Sequence, residues 1–164
     1  MNLLILGAGE YGRLVKEMFK DSFDKIDFLD DNSYAAIGKI SKFRELVNDY
    51  EYAIVAIGNN ELRARFIYEL KEVGYKIPKL ISDKAYVSPS AIIEGGVIIE
   101  PMAVIHNNAR IEEGTIISSG AIINHDAIVK PACHIDCNAI VGAHAMVAEK
   151  THLNYGQVIY RTNK

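Results

Sequence analysis

Five histidines, His106, His125, His134, His144 and His152, fall between residues 106 and 152. An imidazole titrates near neutrality, so each is a candidate proton carrier or metal ligand. His125 stands out because Asp126 follows it in "INHD". A carboxylate beside an imidazole can orient the ring and stabilise its charged form, provided the chain bends there, since neighbours along a straight strand point to opposite faces. A second chemistry is written near the N-terminus in "LGAGEYG", where Gly7, Gly9 and Gly12 form G-x-G-x-x-G. Glycines between a strand and a helix let backbone N–H groups approach a phosphate, and the helix N-terminus favours its charge.

The elements that must hold this loop can be read from hydrophobic patterning. Leu3 to Leu6 form a buried strand, and Leu14, Val15, Met18 and Phe19 are spaced as one helix face. "KIDFLDD" is a second strand ending at Asp30 and Asp31, placed to meet a ribose or base. "YAIVAIG" is a third, ending at Gly58, where Asn59 or Asn60 caps the helix "ELRARFIYELKEV" and Gly74 stops it. Strands alternating with helices over residues 1–80 imply a small parallel sheet, half of a Rossmann-like fold. The fingerprint alone suggests NAD. Half a dinucleotide fold with no domain for hydride chemistry fits the pyrophosphate of another nucleotide better. Gly7, Gly9, Glu10, Tyr11, Gly12, Asp30, Asp31, Gly58, Asn59 and Asn60 are its candidate contacts.

Residues 81–164 follow another rhythm. From Ile81 to Ile159 an aliphatic residue returns at every sixth position, and four places after each of the first twelve stands a small or β-branched one, such as Ala121, Ala127, Cys133 or Ala139. Neither a helix nor one straight strand carries that period. A six-residue unit supplies a short strand and a corner, and three units close a triangular coil, so the pattern predicts a parallel β-helix. The residue before each inward one points outward. Ile92, Ile98, Val104, Ile116, Ile122, Ile128, Ile140, Met146 and Val158 would then face water unless neighbouring chains cover them, which predicts an oligomer. Tyr86, Arg110, His134 and His152 interrupt that row.

The net charge of −3 over 164 residues gives no footprint for nucleic acid. The Leu3–Leu6 run is too short for a signal peptide or membrane span, so a cytoplasmic protein is expected. Of two cysteines, Cys133 occupies a small-residue corner and is expected to be packed rather than paired or metal-bound.

"ILGAGEYG", "FLDD" and "VAIGNNELR", followed by hexapeptides and "INHD", resemble the hexapeptide-repeat sugar acyltransferases. That family includes the UDP-4-amino-sugar N-acetyltransferases of the bacillosamine pathway and the sialic acid O-acetyltransferases. The resemblance implies a left-handed solenoid, homotrimers, a nucleotide sugar held by the α/β domain, and acetyl-CoA lying between neighbouring solenoids. It implies that His125 is the general base, with Asp126 orienting it, that His134 lies near the acetyl group and sugar, and that Ser118 is a substrate-binding candidate standing where nucleotide-sugar relatives often carry asparagine. Backbone amides at Gly142 and Ala143 are candidates for the thioester oxyanion and coenzyme. The reaction implied is transfer of acetyl from acetyl-CoA to the amine of a UDP-linked sugar in a ternary complex. The alternatives are an O-acetyltransferase on sialic acid or a related sugar, and a sugar-nucleotide-binding protein without turnover. Carbonic anhydrases of the gamma class share this solenoid, but their metal-histidine spacing does not occur here, and no metal is expected. The family's Gly-x-Pro-Ala-Lys tail is replaced by "YGQVIYRTNK".

Overall fold

Strand β1 (Asn2–Leu6) lies between β2 (Lys25–Leu29) and β3 (Tyr52–Val55) in a parallel three-stranded sheet, and Leu3 to Leu6 are wholly buried. In this computed structural model residues 1–161 are described; residues 162–164, the end of the expected solenoid domain, lie outside the described residues. The chain divides into two units, Met1–Pro78 and the chain from Lys79 onward.

Within the first unit, Leu6 pairs with Leu29 on one side and Val55 on the other, so the three strands end abreast. Gly7, Asp30 and the Ala56–Gly58 turn therefore emerge at one sheet edge, the place where parallel sheets bind ligands. Helix α1 (Glu10–Phe19) buries Gly12, Val15 and Phe19. Leu14, expected on that face, is 42% exposed. One helical step of about 100° from Val15 carries it off the stripe. Helix α2 (Asn60–Val73) starts at Asn59, whose side chain accepts the Leu62 N–H at 2.9 Å, and ends at Gly74 in the left-handed region, φ 108°. Its Ile67 and Leu70 join Leu4, Leu6, Leu29 and Val55 in one core.

The second unit is a parallel β-solenoid. Two-residue strands stack into three sheets of five, five and four strands, each strand in register with the one eighteen residues on, as in Ile122↔Ile140 and His134↔His152. From Ile93 to Leu153 every sixth residue is buried in a single core, with Ile81, Val87 and Ile159 packed at its ends. The small residues complete that core at the corners, Cys133 among them. From Gly96 to Gly156 each corner carries a residue of positive φ. Glycine fills Gly96, Gly114, Gly120 and Gly156, while Met102, Asn108, Asp126, Ala132, Asn138, His144 and Lys150 adopt it as non-glycine residues. Backbone ladders between coils, such as Ile122 N–H to Ala139 O and Asn124 N–H to Val141 O, both 2.9 Å, hold these corners in place. The outward row differs from expectation at two positions. Ile98 and Ile116 are 0% exposed within the single chain, so their burial needs no second subunit.

Candidate active site and nucleotide cradle

The glycine loop divides its work among three residues. Gly7 has φ 104°, and a Cβ there would lie 2.8 Å from the Ala56 carbonyl oxygen. At Gly12 a Cβ would lie 2.0 Å from the Gly7 carbonyl oxygen, so this glycine permits the close approach of α1 to the strand end. A Cβ at Gly9 meets nothing within 4 Å. Gly9 is also the N-cap of α1 and supplies no side-chain cap. The first-turn amides of Glu10, Tyr11 and Gly12 thus start a helix beside open space, an arrangement suited to a phosphate.

Asp30 and Asp31 hold backbone as well as facing open space, Asp30 at the glycine loop and Asp31 at Ile40. Asp30 accepts the Ala8 N–H and the Asn32 N–H, both at 2.8 Å, and Asp31 accepts the Ile40 N–H at 3.0 Å. The Ala8 amide first, then Asn32, holds the Asp30 carboxyl below the usual carboxylate range. Each carboxylate oxygen keeps a second lone pair for a ligand hydroxyl. Asp30, Asp31, Asn32 and Lys39 border a cavity of about 450 Å³, and a neighbouring one of about 600 Å³ reaches Phe43, Arg44, Arg65 and Phe66.

Arg63 received no role from sequence reasoning, although it ends "VAIGNNELR". It is 0% exposed, and its guanidinium donates to the Ile57 carbonyl at 2.8 Å, the Gly58 carbonyl at 3.2 Å and Asn60 Oδ1 at 2.7 Å. A buried charge survives only when so satisfied. It ties down the very turn expected to meet the nucleotide. The readable signal was an arginine one helical turn after the capping Asn59.

In the solenoid, His125 and Asp126 occupy a corner. The positive φ of Asp126, 57°, turns its carboxylate back so that Oδ2 lies 2.8 Å from His125 Nδ1. Asn108, one coil below, donates from Nδ2 to Asp126 Oδ1 at 3.2 Å. These bonds, from His125 first and Asn108 second, hold the Asp126 carboxyl below its ordinary range. An ionised carboxylate can only accept, so Nδ1 carries the hydrogen, and in the neutral ring Nε2 presents a lone pair. His144, eighteen residues after Asp126, donates its backbone N–H to the His125 carbonyl at 3.1 Å and sets its ring edge-on to His125 at 5.1 Å. That neighbour is visible in sequence only through the coil length.

His134 lies on another sheet, with Nε2 3.2 Å from the buried hydroxyl of Ser118. Gly142 calls for a correction. Its N–H donates to the Ile159 carbonyl at 2.8 Å, so this amide belongs to the coil ladder and is not available to an oxyanion. Two groups among the described residues combine metal-ligand types, His125–Asp126–His144 and His134–Asp136–His152. In the first, the carboxylate already takes Nδ1 of His125; in the second the rings are stacked and 6° from parallel, so their in-plane lone pairs run side by side rather than converging. No helix among the described residues is long and apolar enough to cross a membrane.

A parallel sheet with a glycine-rich helix start, followed in sequence by a hexapeptide solenoid, defines a two-part architecture, and both parts have relatives. Residues 2–70 match the family model of the PglD N-terminal domain. Over 98% of the chain the structure is similar to the acetyltransferase domain of PglB from Neisseria gonorrhoeae FA1090 in complex with acetyl coenzyme A, covering 82% of that chain with 28% identity and a TM-score of 0.92. It is similar in fold to PerB from Caulobacter crescentus in complex with CoA and GDP-perosamine (20% identity, 93% of this chain, 91% of that one, TM-score 0.61). WeeI from Acinetobacter baumannii AYE is a further fold relative (16% identity, 96% and 88%, TM-score 0.60). The resemblance to the hexapeptide-repeat sugar acyltransferases read from the sequence holds in both halves.

Proposed function

We propose that this protein is an acetyl-CoA-dependent N-acetyltransferase acting on a nucleotide-linked amino sugar, with a UDP-linked sugar as the preferred acceptor. The observation that carries the reading is the His125–Asp126 corner, 2.8 Å between Nδ1 and Oδ2, in a chain similar over nearly its whole length to an acetyltransferase domain solved with acetyl coenzyme A. The solved complex of PerB with GDP-perosamine supports a nucleotide sugar as the class of acceptor.

The chemistry follows from the tautomer. The acceptor reacts as the neutral amine: its nitrogen adds to the thioester carbonyl carbon while His125 Nε2 takes one N–H proton. A tetrahedral oxyanion forms, the C–S bond breaks, and the imidazolium returns its proton to the departing thiolate. Amide and free coenzyme thiol are the products. Asp126 stays ionised throughout and stabilises the imidazolium. No covalent enzyme intermediate is needed, and Cys133, buried with its thiol on the Ala148 carbonyl at 3.0 Å, is not a nucleophile.

The Gly9 loop and the first turn of α1 hold the pyrophosphate, Asp30 and Asp31 face the ribose or base, and Gly58, Asn59 and Asn60 complete the cradle. Ser118 and His134 face the acetyl group and sugar, and the Ala143 amide is the remaining oxyanion candidate. The solenoid assembles as a homotrimer in the cytoplasm, with acetyl-CoA between neighbouring copies. Its two partly exposed faces, Tyr86–Val104–Ile122–Ile140–Val158 and Ile92–Arg110–Ile128–Met146, are the surfaces available for that contact. Light scattering tests the assembly, with a mass near three times 18.2 kDa expected and a monomer at micromolar concentration counting against it. Incubation with acetyl-CoA and a panel of UDP-amino sugars, GDP-amino sugars and sialic acids, read by mass, tests the activity. Product from sialic acid alone would replace N- by O-acetylation.

A further inference from the structure

Asp136 is 7% exposed and has no part in the proton path through His125. A carboxylate so placed is costly unless its partners need it. Its Oδ1 accepts the Cys137 N–H at 2.8 Å, and its Oδ2 lies 3.2 Å from His152 Nε2. The arrangement repeats one found a coil below, where Ser118 Oγ lies 3.2 Å from His134 Nε2. In both, a corner residue receives the imidazole sixteen positions later, so two histidines are anchored in the same sense on successive coils. Their rings then stack, 4.6 Å between centroids and 6° from parallel. An imidazole has two side-chain torsions. A bond at Nε2 restrains the edge of the ring, and a flat neighbour against its face restrains the tilt of its plane.

We infer that His152, anchored by the buried carboxylate of Asp136, is a positioning residue that holds the His134 ring in the orientation from which it meets the acceptor sugar. This rests on the placement of His134 near the acceptor in the proposed function. His152 lies on the edge strand of its sheet and is partly exposed, so nothing in the core requires a histidine there. What the position requires for this role is a flat ring against the face of His134.

The test separates the stack from the bond. His152→Ala removes both, His152→Phe keeps a flat ring, and His152→Gln keeps a polar end without a ring. With acetyl-CoA and the accepted amino-sugar nucleotide, His152→Ala is expected to raise the acceptor KM about tenfold with kcat within about twofold, the pattern of lost substrate positioning. His152→Phe is expected to return KM to within about threefold of wild type, and His152→Gln to resemble the alanine variant. Ring ¹³C relaxation of His134 gives a second reading that needs no turnover: ordered in wild type and His152→Phe, mobile in His152→Ala. An unchanged acceptor KM in His152→Ala, or a phenylalanine variant no better than alanine, overturns the inference. Should wild type acetylate no nucleotide sugar, the functional reading falls and relaxation alone decides, a His134 ring still ordered in His152→Ala overturning the positioning role.

Discussion

The two halves of the chain handle left-handed backbone in opposite ways. In the glycine loop of the α/β unit the left-handed Gly7 and the crowded Gly12 are glycine because a side chain would collide, with Ala56 O at Gly7 and with Gly7 O at Gly12. In the solenoid, corners with φ between 55° and 64° are occupied by Met102, Asn108, Asp126, Ala132, Asn138, His144 and Lys150. A non-glycine residue there costs about 1–2 kcal/mol, less for Asn and Asp, and the ladders on either side over-determine the bend. The difference has a functional sense. In the first unit Gly9 leaves bare backbone beside open space, the position the proposed function gives to a phosphate, whereas the second puts side chains on most of its corners, and one of those corners turns Asp126 onto His125.

The largest effect that sharpens this contrast is expected at Gly12. Gly12→Ala places a methyl 2.0 Å from a backbone oxygen and should lower the stability of the first unit by about 4 kcal/mol or more, seen as early loss of its helical signal on heating. Gly9→Val has room for its Cβ; stability should change by less than about 1 kcal/mol while calorimetric binding of the nucleotide sugar disappears. Equal stability losses at the two positions would break the division of labour between them.

At the solenoid corners, Asn108→Ala removes the donor that steadies Asp126 and should lower kcat about three- to tenfold without changing acetyl-CoA affinity, measured by steady-state kinetics. Met102→Gly relieves a left-handed methionine that is exposed, and should raise stability by about 1 kcal/mol in denaturant melts. A loss there would show that these corners are not strained.

Asp30 tests the loop through pH. Its folded carboxyl titrates below the unfolded one because the Ala8 and Asn32 amides favour the charged form. That stabilisation is present above the unfolded value of about 4 and is lost as pH falls through the lower folded value. Asp30→Asn should therefore flatten the acid limb of the stability curve below about pH 4 while leaving its neutral plateau shape intact, as read from melts across pH.

Much of this architecture was legible because its periods are short. Six-residue spacing named every inward position of the solenoid, and the strand-loop-helix pattern around Gly7 to Gly12 marked the cradle. What stayed hidden depends on contacts that spacing does not encode. Ile98 and Ile116 obey the outward rule yet are buried, Leu14 fits the apolar composition of α1 yet faces out, and the Gly142 amide is used by Ile159 in the next coil. Arg63 reads as one more charge on an amphipathic helix, and only its bonds to the Ile57 and Gly58 carbonyls and Asn60 show why it is buried. His144 and Asn108 meet the His125–Asp126 pair because one coil holds eighteen residues, an offset that matters only once coils are stacked.

The most direct test of the central claim compares wild type with His125→Ala, each incubated with acetyl-CoA and UDP-linked amino sugars, while product mass and free coenzyme thiol are followed together. Wild type should release thiol in step with an N-acetylated nucleotide sugar, and His125→Ala should retain binding of both substrates while kcat falls about a hundredfold to ten-thousandfold, the range for a positioned general base. An equal rate in His125→Ala, or no acetylated product from any nucleotide-linked amino sugar, would contradict it.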